Sequence, residues 1–149
     1  MEGFDLDPRL AGDTLAVTRL ESGLLRLMDD ARWPWLILVP AVPGAAELHD
    51  LTPAMARLVH EETDRIGAAL KRATGCTKIN TGALGNVVRQ LHIHIIARFE
   101  GDPNWPGPVW GFGERQAWRP GQAHELIRRV MSEMERLQAE AAQQAMRSM

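Results

Sequence analysis

A single cysteine, Cys76, stands among the 149 residues. No internal disulfide and no CxxC-type zinc site can form, and a lone thiol fits a reducing compartment. Its simplest reading is a small buried hydrophobe. A basic surplus is also missing. The 17 Lys and Arg against 19 Asp and Glu leave a formal net charge of -2, which excludes the bulk positive field that drives nonspecific nucleic-acid binding. Any anionic ligand must be held by local groups. No apolar run is long enough to span a bilayer, and the start, Met1-Glu2-Gly3-Phe4-Asp5-Leu6-Asp7, lacks a basic stretch followed by an apolar one. These absences lead to the expectation of a soluble, cytoplasmic protein with neither a membrane nor a nucleic acid as partner.

What is present is a chain that is 45% hydrophobic, of a length that suits one compact domain over 1–149. Asp7 before Pro8 offers a helix N-cap and first-position proline, with room for a turn or two before Gly12 and Asp13. Thr14 to Leu20 and Leu24 to Met28 read as two strands joined by a turn at Glu21-Ser22-Gly23. Trp35 to Val39 is a continuous apolar run stopped by Pro40, which predicts a central strand covered on both faces. Thr52 before Pro53 starts a long amphipathic helix with apolar residues at Met55, Leu58, Val59, Ile66, Ala69, Leu70 and Ala73, ended by Gly75. Cys76 to Thr81 and Leu91 to Arg98 read as neighbouring antiparallel strands linked by a glycine-containing turn, Gly82 to Asn86. Residues 102–120 hold four prolines and three tryptophans and are expected to form an irregular segment pinned by aromatic anchors. Leu126, Ile127, Val130, Met131, Met134 and Leu137 lie at helical spacing, before a polar, Ala- and Gln-rich stretch from Gln138 that is expected to fray. The pattern is α+β, with an antiparallel sheet of about five strands and one long helix packed on it.

The strand that carries chemistry is Gln90-Leu91-His92-Ile93-His94-Ile95-Ile96-Ala97-Arg98. Alternation sends Leu91, Ile93, Ile95 and Ala97 to one face, wholly apolar and suited to the core, and Gln90, His92, His94 and Ile96 to the other. Three polar side chains then line up at intervals of roughly 7 Å. A solvated sheet face would account for one histidine but suits two histidines and a glutamine poorly. A closed zinc site would need further ligands from His49, His60, His124, Cys76 or carboxylates, and nothing in the spacing supplies them. A nucleophilic role needs one neutral imidazole oriented by a hydrogen bond, with donors nearby to hold an anion. Arg98 and Arg89, at the strand ends, read more readily as solvated surface than as phosphate ligands.

This segment resembles the signature of the histidine triad (HIT) family, His-φ-His-φ-His-φ-φ with φ apolar, read here as Gln90-Leu91-His92-Ile93-His94-Ile95-Ile96. The likeness extends through Asp30, Trp35 to Pro40, the Thr52 helix, and Ile79-Asn80-Thr81-Gly82 leading to Gly85-Asn86, about residues 14–112. Asp102 to Gly111 is similar to a segment of one bacterial branch. The resemblance implies a HIT-like fold with core about 14–112 and a C-terminal helical extension about 121–149. It implies a nucleotide hydrolase or transferase in which His92 attacks the α-phosphate and forms a nucleotidyl-histidine intermediate, with His94 at the phosphate or leaving group. Phosphate contacts would fall on Gly85 and Asn86, ribose contacts on Asp30, with Asp29 its near alternative, and an α-phosphate contact on Asn80. The implied partners are a purine nucleotide or nucleotidyl substrate, such as a phosphoramidate or dinucleoside polyphosphate, and a second copy of the chain in a homodimer whose sheets join. No cofactor and no metal are implied. Two departures stand out. Gln90 replaces the first histidine, so a titrating relay cannot be built there, although a carboxamide still donates and accepts. Val87 stands where many members carry a hydroxyl. Both keep open an alternative, a nucleotide-binding regulatory protein with weak or no turnover.

Overall fold

A computed structural model describes residues 3–149. Its elements are α1 (Pro8–Asp13), β1 (Thr14–Arg19), β2 (Gly23–Met28), β3 (Trp35–Pro40), α2 (Pro53–Thr74), β4 (Lys78–Gly82), β5 (Ile93–Arg98) and α3 (Gln122–Arg147), with a 3-10 turn at Leu48–Asp50. The five strands form one sheet in the order β1-β2-β3-β5-β4, with every neighbouring pair antiparallel. The apolar run of β3 therefore occupies the middle, and all six of its residues are buried.

The hairpin β1–β2 closes where no side chain fits at Gly23, since a Cβ there would lie 1.9 Å from Val39 O on β3. The buried Glu62 carboxylate accepts the Ser22 and Glu21 N–H groups (3.0 and 3.2 Å), which ties the turn to α2. Helix α2 begins as its sequence requires, with Thr52 Oγ1 accepting from Met55 N–H and Pro53 in the first turn. It ends at Gly75, whose left-handed backbone (φ 68°) suits the absence of a side chain. Val59, Ile66, Ala69, Leu70 and Ala73 of α2 pack with Leu25, Leu27, Leu36, Leu38, Ile93, Ile95 and Ala97 of the sheet. Cys76 is in the same core. At about 1.5–3 kcal/mol per fully buried large aliphatic side chain, this face is what holds the helix to the sheet.

The C-terminal region departs from expectation. Instead of fraying from Gln138, α3 continues unbroken to Arg147. Val130 and Met134 are buried against the main core with Leu126, Ile127, Met131 and Leu137 beside them, and Arg72 of α2 grips Glu140 through both guanidinium nitrogens (3.1 and 3.0 Å). Good helix formers carry the rest, since Ala, Gln, Glu and Met cost little in a helix. A second helix thus joins the first on one side of the sheet. No helix among the described residues is long and apolar enough to cross a membrane.

The opposite face of the sheet carries a second cluster. Trp33, Trp35, Ile37, Val39 and Ile96 are covered there by Leu10 and Val109, with Phe4, Leu6, Val88 and Trp110 at its margin. Residues 4–10, which run into α1, and the irregular 102–113 segment form this cover, and the candidate site lies between them.

Candidate functional site

The alternation along the histidine strand holds residue by residue. Leu91, Ile93, Ile95 and Ala97 lie in the helix-side core, and Ile96 in the other cluster. The regular ladder begins at Ile93, so His92 sits just ahead of β5, and the connection from β4 spans residues 83–92 rather than a tight turn. Leu91 N–H leaves the sheet pattern to donate to Ala45 O (3.0 Å). His92 and His94 are both buried, 6% and 5% exposed, with ring centroids 4.8 Å apart and planes inclined at 67°.

Their hydrogen bonds fix opposite tautomers. His92 Nδ1 lies 2.6 Å from the Gln90 carbonyl oxygen, which only accepts, so the proton sits on Nδ1 and Nε2 keeps its lone pair. His94 Nδ1 lies 3.0 Å from Trp35 Nε1, an indole N–H that only donates, so a neutral His94 carries its proton on Nε2. Burial, followed by the neighbouring His92, pushes the His94 imidazole down to about 3 from its ordinary 6.5, so it is neutral at physiological pH. One ring therefore offers a nucleophilic nitrogen and the other a hydrogen-bond donor. Trp35 and Trp110 flank His94 at centroid distances of 5.7 and 5.4 Å. Trp110 approaches because Gly82 has no side chain, and a Cβ there would meet its ring at 3.3 Å.

A cavity of about 460 Å³ opens beside the pair, lined by His92, His94, Gly85, Asn86 and Val87, with Arg9, Asp13, Met28 and Trp110 among the remaining residues of its wall. Gly85 turns the loop with a left-handed φ of 70°. A second cavity of about 230 Å³ reaches His92 from the other side and is lined by Gln90, Gly85, Glu47 and His49, among others. His92 and Gly85 are common to both. Among the described residues no cluster of three or more His, Cys, Asp or Glu could hold a metal ion.

The residues singled out from the sequence are therefore distributed unevenly. His92, His94, Gly85 and Asn86 share one cavity, and Gln90 borders the other. The Gln90 carboxamide reaches neither imidazole. It accepts from Asp7 N–H and donates to Asp5 O, both at 2.9 Å. Asp30 lines neither cavity. It is buried, and its carboxylate takes Arg32 Nε and Nη2 (3.0 and 2.7 Å) and the Arg32 and Gln116 N–H groups. Burial alone would raise its pKa, but these hydrogen bonds overcome that and hold it below the usual carboxylate value. Its near alternative Asp29 pairs with Arg115 (2.8 Å). Asn80, half-buried on β4, lies outside both cavities, with its Oδ1 3.4 Å from Arg98 Nη1.

Arg98 corrects the sequence reading. It is not at the surface but 1% exposed, bound through two nitrogens to Asp102 (2.8 and 2.7 Å) and donating to Gly107 O (2.8 Å). This anchors the segment that brings Val109 and Trp110 to the site. Arg9 and Asp13 escaped the sequence reading because they belong to the short α1, and nothing local marks them as facing a strand some eighty residues away.

A family model described as the HIT domain matches residues 11–101. Among solved structures, a histidine triad protein from Sinorhizobium meliloti 1021 is 51% identical, covers 87% of this chain and 96% of its own, and superposes with a TM-score of 0.86. One from Bradyrhizobium japonicum is 39% identical (89% and 98% covered, TM-score 0.87). One from Marinobacter aquaeolei VT8 is 36% identical (90% and 98% covered, TM-score 0.86). No match was found among curated proteins. With a family match over most of the chain and three relatives of the same architecture above 30% identity, the chain belongs to the histidine triad (HIT) family.

Proposed function

We propose that this protein is a nucleotide hydrolase or transferase acting at the α-phosphate of nucleotidyl substrates, phosphoramidates or dinucleoside polyphosphates, through a covalent intermediate on His92. The observation that carries the reading is the pair of opposite tautomers beside the Gly85–Asn86 loop. His92 Nε2 attacks phosphorus, and the bond from phosphorus to the leaving group breaks. A polyphosphate leaves as its anion, and an amine takes a proton from solvent. The imidazole of the intermediate carries positive charge, and its Nδ1–H donates to the Gln90 carbonyl, where the partial negative charge of the oxygen stabilises it. His94 cannot serve as a proton donor, since losing Nε2–H would leave an imidazolate. It instead donates a hydrogen bond to a phosphoryl oxygen. Water, or another acceptor, then attacks phosphorus and gives up its proton to solvent, the P–N bond breaks, and His92 departs as a neutral imidazole. No cofactor enters these steps.

The test is a labelled substrate analogue quenched at alkaline pH, which should leave a labelled phosphohistidine adduct on wild type and none on His92→Asn. Equal absence of label on both, across substrates, sinks the catalytic reading. A second reading, binding with little or no turnover, is favoured by the Gln90 carboxamide, which is spent on the Asp5 and Asp7 backbone rather than on the imidazoles. Calorimetry with AMP and GMP separates the two: binding without turnover supports the second, and no binding to either sinks both.

The proposed assembly is a two-fold homodimer joined along β4, one of the two edge strands. Its unpaired side lies beside small residues of α2, with Gly67, Ala68, Ile79 and Thr81 around one hollow. Sedimentation velocity should show a species of twice the chain mass, and a monomer at all concentrations would refute it.

A further inference from the structure

We infer that Gln90 is a positioning residue that latches the N-terminal segment, Phe4 to Asp13, onto the sheet as one wall of the nucleotide cavity, so that Arg9 meets the charge of a phosphorylated ligand. The inference rests on nucleotide binding beside His92.

The Gln90 carboxamide is used at both ends, accepting from Asp7 N–H and donating to Asp5 O, residues 83 and 85 positions away in the chain. The same short stretch sets its own helix, because Asp7 Oδ1 accepts from Arg9 N–H at the start of α1. The far end of α1 is fixed independently. Thr14 Oγ1 donates to Leu10 O (2.5 Å), and Asp29 N–H donates to Asp13 O (3.0 Å). Between these anchors Leu10 is buried in the tryptophan cluster, with Phe4 and Leu6 packed beside it. The segment is therefore held by apolar contacts in its middle, by the Asp29 backbone and the Thr14 and Arg26 side chains at its end, and at its front by the Gln90 side chain.

Held this way, α1 places Arg9, Leu10 and Asp13 in the wall that also contains His92 and His94. Arg9 is the one lysine or arginine in that wall, and the cavity on the other side of His92 has none. No hydrogen bond or ion pair engages its guanidinium among the described residues, and His94, with Nδ1 accepting from Trp35, is neutral. A phosphate entering the cavity thus meets Arg9 as a permanently charged side chain free to turn toward it, and a guanidinium fork suits phosphate oxygens well. Position 90 thus serves both sides, its carbonyl orienting His92 and its carboxamide holding the strap that carries the charge.

The test uses the full chain as wild type, Arg9→Gln, Gln90→Ala, Gln90→Glu and the double variant Arg9→Gln/Gln90→Ala, with AMP and adenosine as calorimetric probes and NMR exchange of the Asp7 amide as the readout of the latch. Arg9→Gln is expected to weaken AMP about tenfold, the loss of one charge-assisted contact, and to leave adenosine unchanged. Gln90→Ala should accelerate Asp7 exchange and weaken AMP comparably. The double variant should bind AMP no more weakly than the weaker single, since both changes remove the same contact. Gln90→Glu keeps the acceptor for Asp7 N–H but loses the donor to Asp5 O, and should fall between. Wild-type affinity for AMP in Arg9→Gln, or wild-type Asp7 exchange in Gln90→Ala, overturns the inference. If wild type binds no AMP while Gln90→Ala still accelerates exchange, the nucleotide reading and the role of Arg9 fall together and only the latch stands.

Discussion

His94 makes the protein sensitive to mild acid, and the size of the effect follows from its surroundings. The ring is 5% exposed, accepts from the Trp35 indole, and takes up a proton only near pH 3 in the folded state, against 6.5 in an unfolded chain. Between those values the unfolded state binds the extra proton, so stability rises with pH through this window and is lost as pH falls below 6.5 toward 3. Working the two pKa values through from pH 7 to pH 4.5 gives a loss of about 2.5 kcal/mol from this one group, and about 1.3 kcal/mol at pH 5.5. Urea unfolding of wild type and His94→Gln at pH 7, 5.5 and 4.5 isolates the contribution. The carboxamide can still accept from the indole but does not titrate, and His49, His60 and His124, which do not touch His94, contribute to both curves alike. The gap between the two proteins should shift by these amounts in favour of the variant as the pH falls. A parallel decline would mean that the buried ring is protonated without penalty, and the assignment of Nε2–H to a permanently neutral His94 would then be wrong.

Removing the buried cation beneath the 102–110 segment should be among the most damaging single changes. Arg98→Met leaves the Asp102 carboxylate buried and unpaired, a loss of about 3–5 kcal/mol by urea unfolding. Asp102 is held below the usual carboxylate value because its bonds to Arg98 and to Phe99 N–H overcome the upward push of burial, so the double variant Arg98→Met/Asp102→Leu should recover part of the loss. No recovery would show that the loss is not one of stranded charge. On α2, Ala68→Arg places a long cation in the hollow beside β4; it should leave thermal stability close to wild type while shifting sedimentation from the proposed dimer to monomer. An unchanged dimer would place the interface elsewhere.

The parts of the fold that could be read from sequence are those decided over a few residues. Alternation from Leu91 to Ala97 sorts side chains between two faces, Thr52-Pro53 and Gly75 bound α2, and the unbroken apolar run at β3 requires cover on both sides. What escaped depends on how irregular chain folds back, whether from nearby or from far along the sequence. Arg98 looks like a surface residue until Asp102 and the Gly107 carbonyl fold over it, and Gln90 looks like a defective histidine until the Asp5 and Asp7 backbone arrives. Asp30 shows the converse. As a bare letter it is a free acceptor, but Arg32, two residues on, and the Gln116 N–H occupy it. The continuation of α3 past Gln138 was hidden because its support is sparse, chiefly the exposed Arg72–Glu140 pair on a backbone of good helix formers.

The cavity wall is assembled from four lengths of chain, residues 9–13, Met28, residues 84–94 and Trp110–Gly111. The histidine pair and the Gly85 loop fall within the 11–101 family match, whereas Arg9 and Leu10 precede it and Trp110 and Gly111 follow it. The two imidazoles and part of the wall around them thus occupy separate stretches of the sequence, brought together by folding. Substitutions in the flanks can retune which ligand is admitted while the two imidazoles keep their tautomers. Chimaeras that exchange only the flanks between relatives should carry ligand preference with the flank and leave the reacting nitrogen where it is.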